Sequence, residues 1–201
     1  MKTLFVLIAF VILAIIIFQS YTLMSANNTE EQQYTVVLKD KEFEIRHYPT
    51  ATMATIQSDA RSYRELSGPG FRKLAGYIFG GNETKTSIAM TAPVHMEIND
   101  SHASMSFVMP SAYNESNLPK PNDPNVRIHQ SKDEYVAVVK FSGYASDRDM
   151  KINADKLHNW LKEKGINTTG NIRYLGYNPP YQFLNRRNEI VVSVNWNSEK
   201  K

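Results

Sequence analysis

The same short pattern closes two helices in this chain, 85 residues apart: Gly80-x-Asn82-x-Thr84 and Gly165-x-Asn167-x-Thr169. The apolar stripes upstream repeat as well, with Phe71, Leu74 and Ala75 set against Leu157, Trp160 and Leu161; downstream, Pro93 parallels Pro179. Strand-like stretches flank each helix, so the chain reads as two ββαββ-like halves. Each half alone would leave an apolar sheet face in water. Pairing them buries both faces in one core.

The first half becomes β-patterned at Tyr34, with Val36 and Leu38 alternating with polar neighbours. After a turn at Lys39-Asp40-Lys41, Phe43, Ile45 and His47 share one strand face, and Glu42, Glu44 and Arg46 share the other. Met53–Ile56 continues as a strand. Pro69 suits the first turn of a helix, and Phe71, Leu74, Ala75 and Ile78 follow the spacing of one buried helical face. Gly80-Gly81 supplies the stop. Strands are expected at Ile88–Ile98 and Met105–Met109, and Pro110–Asn125, rich in Pro, Asn and Ser, reads as a surface crossover.

In the second half, Arg127–His129 and Tyr135–Phe141 read as strands, and Ser146-x-x-Asp149 is an N-cap pair. A helix over 147–164 then carries a buried stripe of Met150, Ala154, Leu157, Trp160 and Leu161, and ends at Gly165. Strands at Ile172–Tyr177 and Ile190–Val194 close the domain.

Ahead of this domain, Leu4 to Phe18 are fifteen consecutive apolar residues, and the run extends to about twenty through Met24. That is near the length of a bilayer span. Residues 1–24 therefore read as a membrane anchor or, alternatively, a cleaved signal. The signal reading is served poorly by Met24-Ser25-Ala26, where cleavage wants a small residue in place of Met24. Lys2 precedes the run and Glu30 and Glu31 follow it, which places an anchored domain on the non-cytoplasmic side. Cleavage would make it secreted or periplasmic. Residues 25–33 read as a polar linker, and 34–201 as the domain.

The net charge is +3 and thinly spread, which is no footprint for nucleic acid. The absence of cysteine excludes disulfides, thiolate nucleophiles and thiolate-ligated metal or haem. No Gly-x-Ser-x-Gly, His-Glu-x-x-His or phosphate loop is present, so the chain reads as non-enzymatic. Asn27, Asn82, Asn99, Asn114 and Asn167 each begin an Asn-x-Ser/Thr triplet, which matters only for a secreted eukaryotic protein.

Two tracts carry a family resemblance. One runs from Gly70 to Asn82 and leads into Ile88-Ala89-Met90-Thr91-Ala92-Pro93-Val94. The other is Gly176-Tyr177-Asn178-Pro179-Pro180 followed by Leu184-Asn185-Arg186-Arg187-Asn188-Glu189-Ile190. From about Tyr34 to Val194 the chain resembles the SOUL family of haem-binding proteins. The resemblance implies an α+β fold: a duplicated twisted antiparallel sheet or distorted β-barrel, flanked by two helices with pseudo-twofold symmetry. It further implies non-covalent capture of haem or a related tetrapyrrole in a hydrophobic cleft.

The resemblance also implies site residues. In one branch of the family a histidine in the segment matching Glu44-Ile45-Arg46-His47-Tyr48 is an axial ligand, which maps to His47; the alternative is a strand-end histidine bonded to a neighbour. In another branch haem lies against apolar residues of the first helix, which map to Phe71, Leu74 and Ala75. Some of the matching family residues are methionines. A basic family residue near the second Pro-Pro segment is Gln182 here, leaving Arg72, Lys73 or Arg64 to meet the propionates. The plainer account makes Phe71 and Leu74 core stripe.

His95 faces away from the row Met90, Ala92, Val94 and Met96. Those methionines, with Met105 and Met109, either line a cleft or fill the core. Arg186, Arg187 and Glu189 either close a turn by ion pairing or meet an anion. Some distant relatives of this fold bind bulky apolar cations through a buried glutamate. The readings carried forward are a haem carrier or buffer, a protein-interaction module with incidental haem affinity, and a sensor of another hydrophobic molecule.

Overall fold

The computed structural model describes residues 2–27, 29–99 and 102–197. Helices are α1 (Lys2–Asn27), α2 (Tyr63–Ile78) and α3 (Asp147–Lys164). Strands are β1 (Glu30–Glu31), β2 (Thr35–Asp40), β3 (Phe43–Tyr48), β4 (Thr52–Ser58), β5 (Thr91–Ala92), β6 (Val94–Ile98), β7 (Ala103–Val108), β8 (Arg127–Gln130), β9 (Glu134–Phe141), β10 (Thr168–Gly176) and β11 (Asn188–Val194).

Nine strands form one antiparallel sheet in the order β2-β3-β9-β11-β10-β6-β7-β4-β8. Exchanging β3 with β8, β4 with β9, β6 with β10 and β7 with β11 reverses the order of these eight strands and leaves it otherwise unchanged. The same exchange swaps α2 for α3. The pseudo-twofold axis therefore passes between β6 and β10, which pair through Met96 and Tyr174. β2 is an added edge strand. The sheet is open and twisted, so of the two expected forms the barrel is not realised. Gly80 and Gly165 are equivalent under the axis, but Pro93 and Pro179 are not: Pro93 precedes β6, whereas Pro179 follows its mate β10.

The capping residues explain the helix starts. Ser146 Oγ accepts the Asp149 N–H as expected, and Gly165 closes α3 in the left-handed region. α2 starts earlier than Pro69 suggests. Ser62 Oγ accepts the Glu65 N–H while Glu65 Oε2 accepts the Arg61 N–H, so nucleation occurs more than a turn upstream. Pro69 then lies inside the helix on its exposed side. The expected strand Ile88–Ile98 is interrupted between β5 and β6, because Pro93 has no N–H to give the ladder.

α2 packs on β4 and β7, and α3 on β9 and β11. Both helices cover the same sheet face, and the main core between helices and sheet contains Ile45, Leu74, Met105, Phe107, Leu157 and Ile190. Met90, Met96, Met105 and Met109 all belong to this core or pack against it. The opposite face holds a smaller cluster of Tyr48, Val136, Val138, Leu175 and Val191. Residues expected as a free polar linker partly cover that face. β1 pairs in parallel with β5, and the Gln32 N–H donates to the Ala92 carbonyl at 2.8 Å.

Candidate functional site

His47 lies near the end of β3, in the α3 half of the sheet. Its Nε2 is 2.7 Å from Asp133 Oδ1, and its ring sits 4.9 Å from that of Tyr135. The side chain remains partly exposed.

The α2 residues divide. Leu74 is fully buried in the core, and Ala75 is nearly so. Phe71 is 37 % exposed, with its ring edge on Phe107 of β7 at 5.2 Å between centroids. Arg72 and Lys73 face solvent. The structure adds Phe79, which follows the last helical residue and is 65 % exposed. Phe71 and Phe79 lie about two turns apart with the buried Ala75 between them, and their exposed rings form one outward strip. Space beside it is open at Gly76, where a Cβ would meet nothing within 4 Å. That spacing was readable in the chain, but Phe79 adjoins the helix-stop glycines and escapes a search for buried positions.

His47 and this strip are not brought together. Strands β9, β11, β10 and β6 separate β3 from β7, five strand steps or about 24 Å measured along the sheet. Two cavities lie elsewhere. One, of about 410 Å³, is lined by Thr55, Gln57, Arg127 and His129 at the β4–β8 edge. The other, of about 30 Å³, lies beside His95, Gln32, Arg173 and Glu134. The α2 strip is an open ledge rather than a cleft.

The second sheet face carries a buried charge network. Arg46 is completely buried, with Nη1 and Nη2 donating to the Glu189 carboxylate at 2.8 and 3.0 Å and Nε donating to Glu44 at 2.8 Å. Arg187 pairs with Glu189 and Glu31, and Lys140 with Glu44. Tyr177 donates its hydroxyl to Glu189, and the Arg46 guanidinium lies 4.1 Å from the centre of the Tyr34 ring. Burial alone would favour neutral groups. The bonds from Glu189 nevertheless raise Arg46 above its ordinary value, and those from Lys140 and Arg46 hold the Glu44 carboxyl below its ordinary range. Both buried glutamates, Glu44 and Glu189, are thus matched by cations. The signal was present as Glu44-x-Arg46 and Arg187-x-Glu189, two ion pairs at i, i+2 spacing, the first within β3 and the second at the start of β11.

Of the remaining positions, His95 Nε2 is 2.8 Å from Gln32 Oε1, on the sheet face away from Met96. Burial, aided by the charge of Arg173, pushes its pKa down to about 3. Arg186 is buried, its guanidinium donating to the carbonyls of Pro179, Gln182 and Asn178. Gln182 is also buried and donates to the Leu184 carbonyl. Both help shape a loop, although Gln182 Oε1 and Arg186 Nε are buried without a hydrogen-bond partner among the described residues. Among the described residues no group of three or more His, Asp or Glu side chains is placed to hold a metal. Asn82 is buried and donates to the Tyr77 and Thr86 carbonyls, which closes that triplet to glycosylation in the folded state. Asn114 and Asn167 are exposed, and the side chain of Asn27 lies outside the described ones.

These features define a duplicated α+β domain with a buried charge network on one sheet face, helices over the other and an open apolar ledge on α2. Residues 29–193 match the family model described as SOUL heme-binding protein, and the chain belongs to that family. It is 32% identical to heme-binding protein 2 of Mus musculus over 74% of this chain and 76% of that protein. It is 27% identical to heme-binding protein 1 of Sus scrofa over 76% of this chain and 84% of that protein. Among solved structures, the EcmrR C-terminal domain superposes with a TM-score of 0.56 at 11% identity, covering 81% of this chain and 98% of that one. A hydrolase from Listeria innocua gives 0.54 at 10% identity, covering 79% and 94%. At such identities the likeness is one of fold alone.

Proposed function

We propose that this chain binds haem or a related tetrapyrrole non-covalently on the α2 ledge, as a membrane-tethered carrier or buffer without turnover. The observation that carries the reading is the pair of exposed rings, Phe71 and Phe79, on the family's helix and at its end. The partly exposed Phe71 ring, the exposed Phe79 ring and the open surface at Gly76 suit one face of a flat macrocycle, and Arg72 and Lys73 stand close by for its propionates. Leu74 supports the ledge from beneath. His47 belongs to a separate position, so capture at α2 needs no axial histidine. α1, with Thr3–Tyr21 long and apolar enough to cross a bilayer, serves as the tether, with the domain on the non-cytoplasmic side. The relatives named heme-binding proteins support haem as the ligand.

The test is a hemin titration of the full chain in detergent, followed by its Soret band. Trp160 stacks on Phe43 in the α3 half and makes a poor reporter for α2. A saturable one-to-one band shift, weakened by Phe71→Glu and unchanged by His47→Ala, is expected. Failure to saturate at micromolar hemin refutes the reading. The openness of the ledge also favours a second reading, a docking face for another protein. That reading predicts hemin uptake that is non-stoichiometric and indifferent to Phe71.

A further inference from the structure

In the described part of α1, Gln19 is the buried side chain, at 4 % exposure, while the large apolar residues around it are exposed. The folded domain does the burying. Gln19 Nε2 donates to the Tyr181 carbonyl at 3.1 Å, and the Phe183 N–H donates to Gln19 Oε1 at 3.4 Å. The Phe18 and Tyr181 rings lie 6.0 Å apart. The end of the apolar helix is therefore stitched to the loop after β10.

That loop is unusually greasy for a surface segment. Tyr181, Phe183 and Leu184 are each more than half exposed, as is Tyr144 on the neighbouring loop. The Tyr144 hydroxyl donates to the Pro180 carbonyl at 3.0 Å, and the Arg186 guanidinium lies 4.4 Å from its ring centre. From Tyr177 to Asn185, and again from Phe141 to Ala145, there is no charged residue. The three carbonyls held by Arg186 keep the loop in one shape.

Depth follows from the helix. Gln19 lies in the last turn of the apolar span Thr3–Tyr21. An unpaired amide in hydrocarbon would cost several kcal/mol, and the loop backbone satisfies it. The loop therefore sits level with Phe18 and Gln19. Exposed Tyr21 and Met24 continue on the domain side of that level. Met24 is about 8 Å farther along the axis at the helical rise per residue. Tyr181, Phe183 and Leu184 thus lie deeper than Met24, at the boundary where Tyr rings are favoured in membrane proteins and where exposed Phe and Leu can dip into the acyl region.

Resting on the anchor reading of α1, we propose that the loop Tyr181–Leu184, with Tyr144 beside it, enters the interfacial layer of the bilayer that α1 crosses. It is a second membrane contact, which orients the domain against the lipid surface.

The chain has no cysteine, so single cysteines introduced for spin labels are unique. The full chain is placed in phosphatidylcholine vesicles with labels at Phe183→Cys or Leu184→Cys. Ile12→Cys serves as the lipid reference and Asn114→Cys as the water reference. Collisions with oxygen and with a water-soluble nickel chelate are compared. The expected result at positions 183 and 184 is an oxygen-to-nickel ratio raised roughly threefold or more over position 114 and below that at position 12, as the interfacial depth requires. A ratio at 183 equal to that at 114, with 12 in lipid, overturns the loop contact and leaves the anchor standing. A label at 12 exposed to nickel overturns both. Shielding of 183 from both agents shows a protein cover and overturns the lipid contact.

Discussion

Arg46 and Glu189 lie 143 residues apart in sequence and meet through two hydrogen bonds of 2.8 and 3.0 Å, both side chains sealed from water. They sit on β3 and β11, the two strands flanking β9. The pair locks β3 to the last strand of the domain on the face away from the helices. Removing one partner leaves the other charged in an apolar setting. Glu189→Ala is expected to lower stability by about 3–5 kcal/mol, since Arg46 and Arg187 both lose their fully buried carboxylate and keep only Glu44 and Glu31. Urea midpoints check this; a loss below about 1 kcal/mol would show that the network is readily rehydrated.

His95 gives the fold a defined response to acid. Its folded-state pKa is depressed to about 3 by burial and by Arg173, against an ordinary value near 6.5. The unfolded chain therefore binds a proton that the folded chain refuses. Stability falls as pH drops through 6.5 and continues to fall towards 3. Between pH 7 and pH 5 the loss assigned to this residue is about 1–2 kcal/mol, trimmed by the residual solvent exposure of the side chain. A His95→Gln variant is expected to show a correspondingly flatter stability profile in that window. An unchanged profile would remove His95 as the cause.

Two neighbouring glycines are expected to respond with opposite sign. A Cβ on Gly81 would sit 2.5 Å from the Gly76 carbonyl oxygen, a backbone atom that already accepts the Gly81 N–H at 2.8 Å. Gly81→Ala should cost roughly 3 kcal/mol through loss of the helix stop. Gly76 lies within α2 beside open space, so Gly76→Ala should stabilise by about 0.5–1 kcal/mol. Thermal midpoints of the two variants decide it.

The ledge and its support can be separated. Leu74→Ala should lower stability by about 2–5 kcal/mol, because it empties a fully buried site. Phe79→Ser removes an exposed ring and should leave stability within about 0.5 kcal/mol of the parent. The same substitution should weaken hemin binding by roughly tenfold, or about 1.4 kcal/mol, if the ring covers the macrocycle. Equal hemin affinity in Phe79→Ser and the parent would move the ligand off this end of α2.

Local order was largely legible from residue type. The 85-residue offset between Gly80 and Gly165, the cap at Ser146 and the alternation of Phe43, Ile45 and His47 each specify backbone geometry within a few residues. α2 begins ahead of Pro69 because Ser62 and Glu65 cap it through a reciprocal bond, a quieter signal in the sequence than the proline. The equivalence of Pro93 and Pro179 failed for a related reason. Spacing along the chain ignores that loops of different length follow the two helices.

By itself the chain determined that two apolar-faced halves had to pair, that an apolar helix stood ahead of them, and that thiolate chemistry was absent. Those follow from periodicity and composition, which act over neighbouring residues. Tertiary structure alone decided which parts of the apolar pattern stayed outside. Leu74 turns into the core while Phe71 and Phe79 face outward, and no periodicity distinguishes them until β7 occupies one side of α2. It also decided that Arg46 would meet Glu189 and that Gln19 would meet the loop at Tyr181. Such meetings depend on how distant segments share space, and a sequence records the segments without their distances.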